Sequence, residues 1–333
     1  MDNPDNILEV KDLRVEFPYK LKSLKAVNGV SFEMKKGETL GFVGESGCGK
    51  STTAKAVMRL LPEQAQIPSG QIRFQDQDIL GLNAEELRKI RGRKIGMIFQ
   101  DPMTALNPVL TIREQIYEQF IDRNMTRKEK EEEAIRMLEY VGLPDAPQRL
   151  REYVYQFSGG MRQRAMIAIA LAGHPELLIA DEPTTALDVT IQDQIIKLLN
   201  RLKKEMGMSV LLITHDLGVI SQMSDRVAVM YAGYIVEYAD TLQVFAHPSH
   251  PYTCGLMEAL PGKSRQERPL QAIPGSTPNL EELPAGCPFA ERCGYCEGKC
   301  TEELPELQEI AEGHYSRCHF PEKLKNYRGL IEL

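Results

Sequence analysis

The feature that most restricts what this 333-residue chain can fold into is Gly44-Glu-Ser-Gly-Cys-Gly49-Lys50-Ser51. It follows the apolar run Thr39-Leu-Gly-Phe-Val43 directly and leads into Thr52-Thr-Ala-Lys-Ala-Val-Met58, a helix-forming stretch. Strand, glycine-rich loop and helix in that order form the G-x-x-x-x-G-K-[ST] unit of a parallel α/β sheet. The residue types follow from the chemistry. Glycines let successive backbone N–H groups curl around a β-phosphate, and the helix N-terminus adds positive potential. Lys50 reaches the β- and γ-phosphates, while the Ser51 hydroxyl ligates Mg²⁺. The phosphate-binding set is therefore Gly44, Glu45, Ser46, Gly47, Cys48, Gly49, Lys50, Ser51 and Thr52.

A second element completes the metal and water chemistry. Glu176-Leu-Leu-Ile-Ala-Asp181-Glu182 is an apolar strand ending in two acids. Asp181 supplies the Mg²⁺-binding carboxylate that P-loop NTPases need, and Glu182 stands one residue further on, placed to orient and deprotonate water. Val210–Thr214 is another short, nearly wholly apolar run. Strands buried on both faces of a parallel sheet have this composition. Before residue 81 the chain is strand-rich (Leu8–Phe17, Val30–Met34, Gly70–Gln75), and from about 101 to 175 it is helical, with Thr126 and Glu129 forming a capping-box pattern.

Composition narrows the classes. With 40 Lys+Arg against 47 Asp+Glu the net charge is −7, which gives no global attraction to nucleic acid. No run approaches the roughly 18 apolar residues of a membrane span. Met1–Val10 carries Asp2, Asp5 and Glu9 with no apolar core and reads as no secretory signal, so a cytosolic chain is expected.

Phe157-Ser-Gly-Gly-Met161, opening the helix Met161–Ala170, is a second anion-binding helix N-terminus. One monomer does not need two γ-phosphate cradles. On these residues the chain resembles the ABC ATPase family over about residues 6–250. Phe157 and Met161 depart from the Leu and Gln of that family's L-S-G-G-Q signature, but the Ser158 hydroxyl and the Gly159 and Gly160 amides remain. The resemblance implies a RecA-like core with an antiparallel β subdomain and a helical subdomain. It identifies Gln100 with the Q-loop that touches Mg²⁺ and the attacking water. Ala186-Leu187-Asp188 resembles the D-loop, and His215 the switch histidine on the γ-phosphate. Phe17, with Tyr19 beside it, lies where the family stacks an aromatic on adenine. Two copies are expected head to tail, each ATP lying between Gly44–Ser51 of one and Ser158–Gly160 of the other.

Gln100-Asp-Pro-Met-Thr-Ala-Leu-Asn-Pro108 resembles the Q-loop extension of ATPases serving dipeptide, oligopeptide and nickel importers. His250-Pro-Tyr-Thr253 resembles the segment that opens their C-terminal extension; read from residues alone, it is a turn leading into a helix. The resemblance implies two membrane permeases, a second ATPase subunit (the same or a sister chain) and, indirectly, an external binding protein, with no nucleic acid. It places the chain peripherally on the cytoplasmic membrane face. The alternatives are a soluble ABC ATPase acting on nucleic acid or ribosomes, and a non-catalytic scaffold subunit. The expected domains are a nucleotide-binding domain over 1–255, its helical subdomain at about 101–157, and a small loop-rich extension over 256–333.

That extension is punctuated by Pro261, Pro269, Pro274, Pro278 and Pro284 and holds five of the seven cysteines. In a chain without an export signal such a crowd reads as a metal site before it reads as disulfides. Cys287-x5-Cys293-x6-Cys300-x17-Cys318 resembles the spacing of iron–sulfur-bearing members of the subfamily, implying a four-iron four-sulfur cluster. A tetrahedral zinc, with Cys296, His314 and His319 also available, and unligated thiols are the alternatives. Cys48 reads as a small residue at a variable loop position, and Cys254 as a packing residue.

Overall fold

The computed structural model describes residues 5–20, 22–121, 123–185, 187–260, 272–327 and 329–331. Pro261 and Pro269 of the tail, Ala186 of the D-loop reading and Asp2 near the N-terminus lie outside these residues. The described strands are β1 (Asn6–Tyr19), β2 (Lys22–Lys35), β3 (Thr39–Val43), β4 (Gln71–Phe74), β5 (Gln77–Asp78), β6 (Ile95–Ile98), β7 (Leu177–Asp181), β8 (Ser209–Thr214), β9 (Arg226–Tyr231), β10 (Tyr234–Asp240), β11 (Gln308–Ala311) and β12 (His314–Ser316). Two compact units result, each assembled from separate stretches. One comprises Met1–Ile7, Lys35–Glu38 and Gly81–Ile213, the other Leu8–Met34, Thr39–Leu80 and Thr214–Leu333.

In the first unit β6, β7 and β8 run parallel, with Ile95 beside Leu177 and Leu177 beside Ser209. Every residue of these strands is buried, as the apolar runs require. The helix Gly159–Leu171 lies close on β6, where Gly96 leaves room for the Ala170 carbonyl. Thr126 caps the helix Arg127–Tyr140 by the expected box: its hydroxyl accepts from Glu129 N–H, and the Glu129 carboxylate accepts from Thr126 N–H. That helix buries Ala134, Met137 and Leu138 at helical spacing and stops before Gly142, which has φ 76°. Val189–Met206 is capped by Asp188 and buries Ile195, Leu198, Leu199 and Leu202 along one stripe.

In the second unit β2, β1, β4 and β5 form a four-stranded sheet in that order, Leu8 pairing antiparallel with Phe74. β3 runs parallel to β9, which turns back into β10. The described tail is mostly loop, with two short strands in it. β12 pairs antiparallel with β10, Glu237 opposite Ser316, and β11 pairs with β12 as a hairpin. Strands of three and four residues are too short to show alternation in sequence; the open edge of β10 supplies the order instead.

The tightest backbone contact of the first unit is at Gly173, where any β-carbon would overlap the Gly92 carbonyl oxygen. Gly173→Ala is therefore expected to lower the urea midpoint of unfolding by the equivalent of about 2 kcal/mol or more. A wild-type midpoint would show that the Gly92 loop yields without cost.

Candidate nucleotide site and cysteine cluster

The expected site residues stand at the ends of buried strands within each unit. In the second unit the five buried residues of β3 deliver the phosphate loop, and the helix Lys50–Val57 starts at the lysine itself. Gly49 caps that helix at φ 103°, and a β-carbon there would strike the Ala26 carbonyl, so only glycine fits. Lys50 is 4% exposed, and its ammonium donates to the carbonyls of Gly44 (2.7 Å) and Glu45 (2.9 Å). The Cys48 thiol lies 3.5 Å from the same ammonium. Burial raises its pKa and Lys50 only partly opposes this, so Cys48 is a buried packing group. Ser51 and Thr52 are half-buried at the first turn. Phe17 and Tyr19 lie at the end of β1, Tyr19 being 46% exposed. His215 is exposed just past β8, ahead of the helix Leu217–Met223 that Asp216 caps through Gly218 N–H (2.7 Å).

The H-P-Y-T segment does more than begin a helix. The His250 ring accepts from Tyr252 N–H at 3.1 Å, capping the helix Pro251–Glu258. Burial holds His250 down to about 3, so the ring stays a neutral acceptor. The fully buried Tyr252 hydroxyl then accepts from the Glu45 N–H of the phosphate loop at 2.8 Å. Sequence alone gave no sign of this contact because 207 residues separate the partners.

The first unit brings together Asp181, Glu182 and Gln100, the residues expected to handle Mg²⁺ and water. Asp181 closes β7 at 2% exposure, and Glu182 follows at φ 48°, the left-handed region that a non-glycine residue enters at a cost of about 1 kcal/mol or more. Its N–H is held by the Ile213 carbonyl at 2.8 Å. The Glu182 Oε2 accepts from the Gln100 amide at 2.9 Å and from the Thr185 hydroxyl at 2.8 Å. Ser158 caps the signature helix, its hydroxyl accepting from Met161 N–H at 3.4 Å, with Phe157 buried behind it. Buried Gln163, five residues past the Ser158 cap, donates to the Pro183 carbonyl at 2.7 Å. It ties the signature helix to the Glu182 turn.

All described cysteines are free thiols. Cys287, Cys293, Cys300 and Cys318 line one cavity, together with His250 and His319. Backbone N–H groups of Tyr295 and Phe320, each at 3.4 Å, donate to the sulfurs of Cys293 and Cys318, and Phe289 does the same for Cys287. Burial pushes the Cys287 thiol up to about 12 and Cys318 to about 11. His314 instead pairs with buried Glu237 at 2.8 Å, and Cys296 is exposed. Among the described residues no three His, Cys, Asp or Glu side chains stand close enough about one point to hold a metal ion. Cys254 is buried, with burial raising its pKa.

Residues 27–185 match the ABC transporter family, and residues 236–300 match the C-terminal region of oligopeptide/dipeptide transporters. A probable peptide ABC transporter ATP-binding protein of Sinorhizobium fredii is 50% identical, covering 94% of this chain and 95% of its own length. An oligopeptide transport ATP-binding protein of Escherichia coli is 48% identical, over 95% of this chain and 94% of its own. Among solved structures, an ATP-binding cassette in a dimeric, post-hydrolysis state bound to ADP and Pi has TM-score 0.64 and 29% identity, covering 70% of this chain and 98% of that one.

The Gln100–Glu182 hydrogen bond fixes a carboxylate oxygen beside the Asp181 strand end. Gln100→Ala is expected to lower kcat for ATP hydrolysis about tenfold while nucleotide affinity stays within about threefold. Phosphate release and nucleotide titration read the two separately, and an unchanged kcat removes Gln100 from the chemistry.

Proposed function

The chain belongs to the oligopeptide/dipeptide family of ABC transporter ATP-binding subunits, an ATPase family, and on that premise we propose that it energises import of short peptides. The match of residues 236–300 carries the choice of peptide cargo. Two ATPase subunits would dock on two membrane permeases, whose coupling helices the helical stretch at about 101–157 of the nucleotide-binding domain, taken as 1–255, would receive. Met103, Val109 and Tyr155, exposed at 53%, 76% and 65%, supply apolar surface for that contact. Among the described residues no helix is long and apolar enough to cross a membrane, so membrane attachment at the cytoplasmic face is assigned to the permeases. A second ATPase subunit completes each site, and an external binding protein delivers cargo.

ATP would lay its phosphates along Gly44–Thr52, with Phe17 or Tyr19 against the adenine and His215 on the γ-phosphate. Ser51, Gln100 and Asp181 are hydroxyl, amide and carboxylate oxygen donors, the hard set that Mg²⁺ takes, and bound there it would offset charge on the β- and γ-phosphates. The backbone N–H groups of Ser158–Gly160 in a second subunit would close on the γ-phosphate from the other side. Glu182, strained and oriented by Gln100 and Thr185, would accept the proton of the attacking water. Glu182→Gln keeps that orientation but loses basicity. It is expected to bind ATP normally, to pair with a second ATPase subunit in ATP and magnesium, and to turn over about 100-fold or more slowly. Near-native turnover would exclude Glu182 as the base, and loss of transport of other solutes but not peptides on deleting the subunit would exclude the cargo.

For the 256–333 extension we propose a four-iron four-sulfur cluster on Cys287, Cys293, Cys300 and Cys318. Four thiols line one cavity and three of them accept a backbone N–H, the donor type and hydrogen bonding that such clusters use; the side chains would have to draw together to converge on it. The purified protein is expected to be brown, to absorb broadly near 400 nm, and to yield about four irons and four acid-labile sulfides per chain. Stoichiometric zinc without iron would replace the cluster by the alternative.

A further inference from the structure

Between Cys287 and Cys293 the chain buries a guanidinium. Arg292, its side chain 5% exposed, donates through Nε to the Pro274 carbonyl at 2.8 Å. Nη1 donates to Glu45 Oε2 at 2.7 Å and to the Tyr231 hydroxyl at 3.1 Å, and Nη2 donates to Glu45 Oε1 at 3.0 Å. The two Glu45 contacts form a fork-to-fork pair, the geometry in which arginine cannot be replaced by lysine without loss. The group is walled by the rings of Tyr231 and Phe289, 5.7 and 5.8 Å from the guanidinium carbon. Tyr231, Tyr252 and Phe289 pack on one another with centroids 4.6 to 5.5 Å apart.

Glu45 is the second residue of the phosphate loop. A carboxylate on a loop built for a polyphosphate repels its ligand unless a cation neutralises it. Here that cation comes from the cysteine-bearing segment, more than 200 residues later. Residue 45 is then held at both ends: its N–H by Tyr252, its carboxylate by Arg292. Arg292 closes the short turn Ala290–Arg292, whose hydrogen bonds Ala290 N–H to Cys287 carbonyl (3.0 Å) and Cys293 N–H to Ala290 carbonyl (3.2 Å) tie it to two of the cavity-lining cysteines.

We propose that Arg292 is a positioning residue of the nucleotide site. It cancels the Glu45 charge and pins the phosphate loop, so that nucleotide affinity depends on the folded cysteine segment. This rests on the ATPase reading and holds whichever metal the thiols take. The test is titration of the full-length chain with ATP and magnesium, alongside kcat at saturation. Arg292→Ala is expected to weaken binding about tenfold with kcat changed less than about threefold, and Glu45→Gln in that background to restore affinity to within about threefold. Rescue by removing the opposing charge is what loss of packing alone would not give. Cys293→Ser is expected to weaken binding as well, with no further loss when combined with Arg292→Ala. Wild-type affinity in Arg292→Ala, or a loss that Glu45→Gln does not relieve, overturns the proposal. If Arg292→Ala does not fold, Arg292→Lys replaces it, with about threefold weaker binding expected and wild-type binding as the overturning result. Failure of the wild-type chain itself to bind ATP would instead sink the ATPase reading.

Discussion

A triphosphate brings more negative charge than a few surface side chains can neutralise, and everything else in this protein is arranged around meeting that demand with backbone amides. Amides can converge on one anion only where the chain leaves a fixed support and turns sharply. β3 is that support, buried along its whole length, and Gly49 is the turn, in a conformation and a space that admit no side chain. The buried ammonium of Lys50, bonded to two carbonyls of its own loop, shows how little slack the arrangement has.

The proposed base is held by a different physical device. Glu182 sits at positive φ with its amide bonded to the neighbouring strand and its carboxylate bonded to Gln100 and Thr185. Strain of this kind persists only where surrounding structure over-determines it. Gln163, reaching from the signature helix to the Pro183 carbonyl, is part of that support. The signature helix and the turn after the acidic strand end are therefore joined by a buried hydrogen bond within one unit.

The C-terminal segment has two roles in the architecture. It extends the sheet through β12 and β11, and it sends Arg292 and the Phe289 ring back to the base of the phosphate loop. Phe289 packs on Tyr231 of β9 and Tyr252 of the H-P-Y-T helix, so apolar contact with those two elements helps to order the segment. The Tyr252 contact turns the H-P-Y-T stretch from a helix start into a prop for the loop.

Local chemistry is written in local sequence. The phosphate loop, the buried parallel strands, the acidic strand end, the Thr126 capping box and the helix opened by Ser158 were all legible because each rests on residues within about ten positions of one another. The tail hairpin was not, since its strands are ordered by the edge they join and not by their own periodicity. Nor were the Tyr252 and Arg292 contacts to Glu45, or the Gln163 contact to Pro183, whose partners are separated by 207, 247 and 20 residues. Sequence by itself determined which groups can hold a nucleotide; only the tertiary structure decided which distant side chains hold those groups still, because long-range pairing is set by packing and leaves no spacing to read.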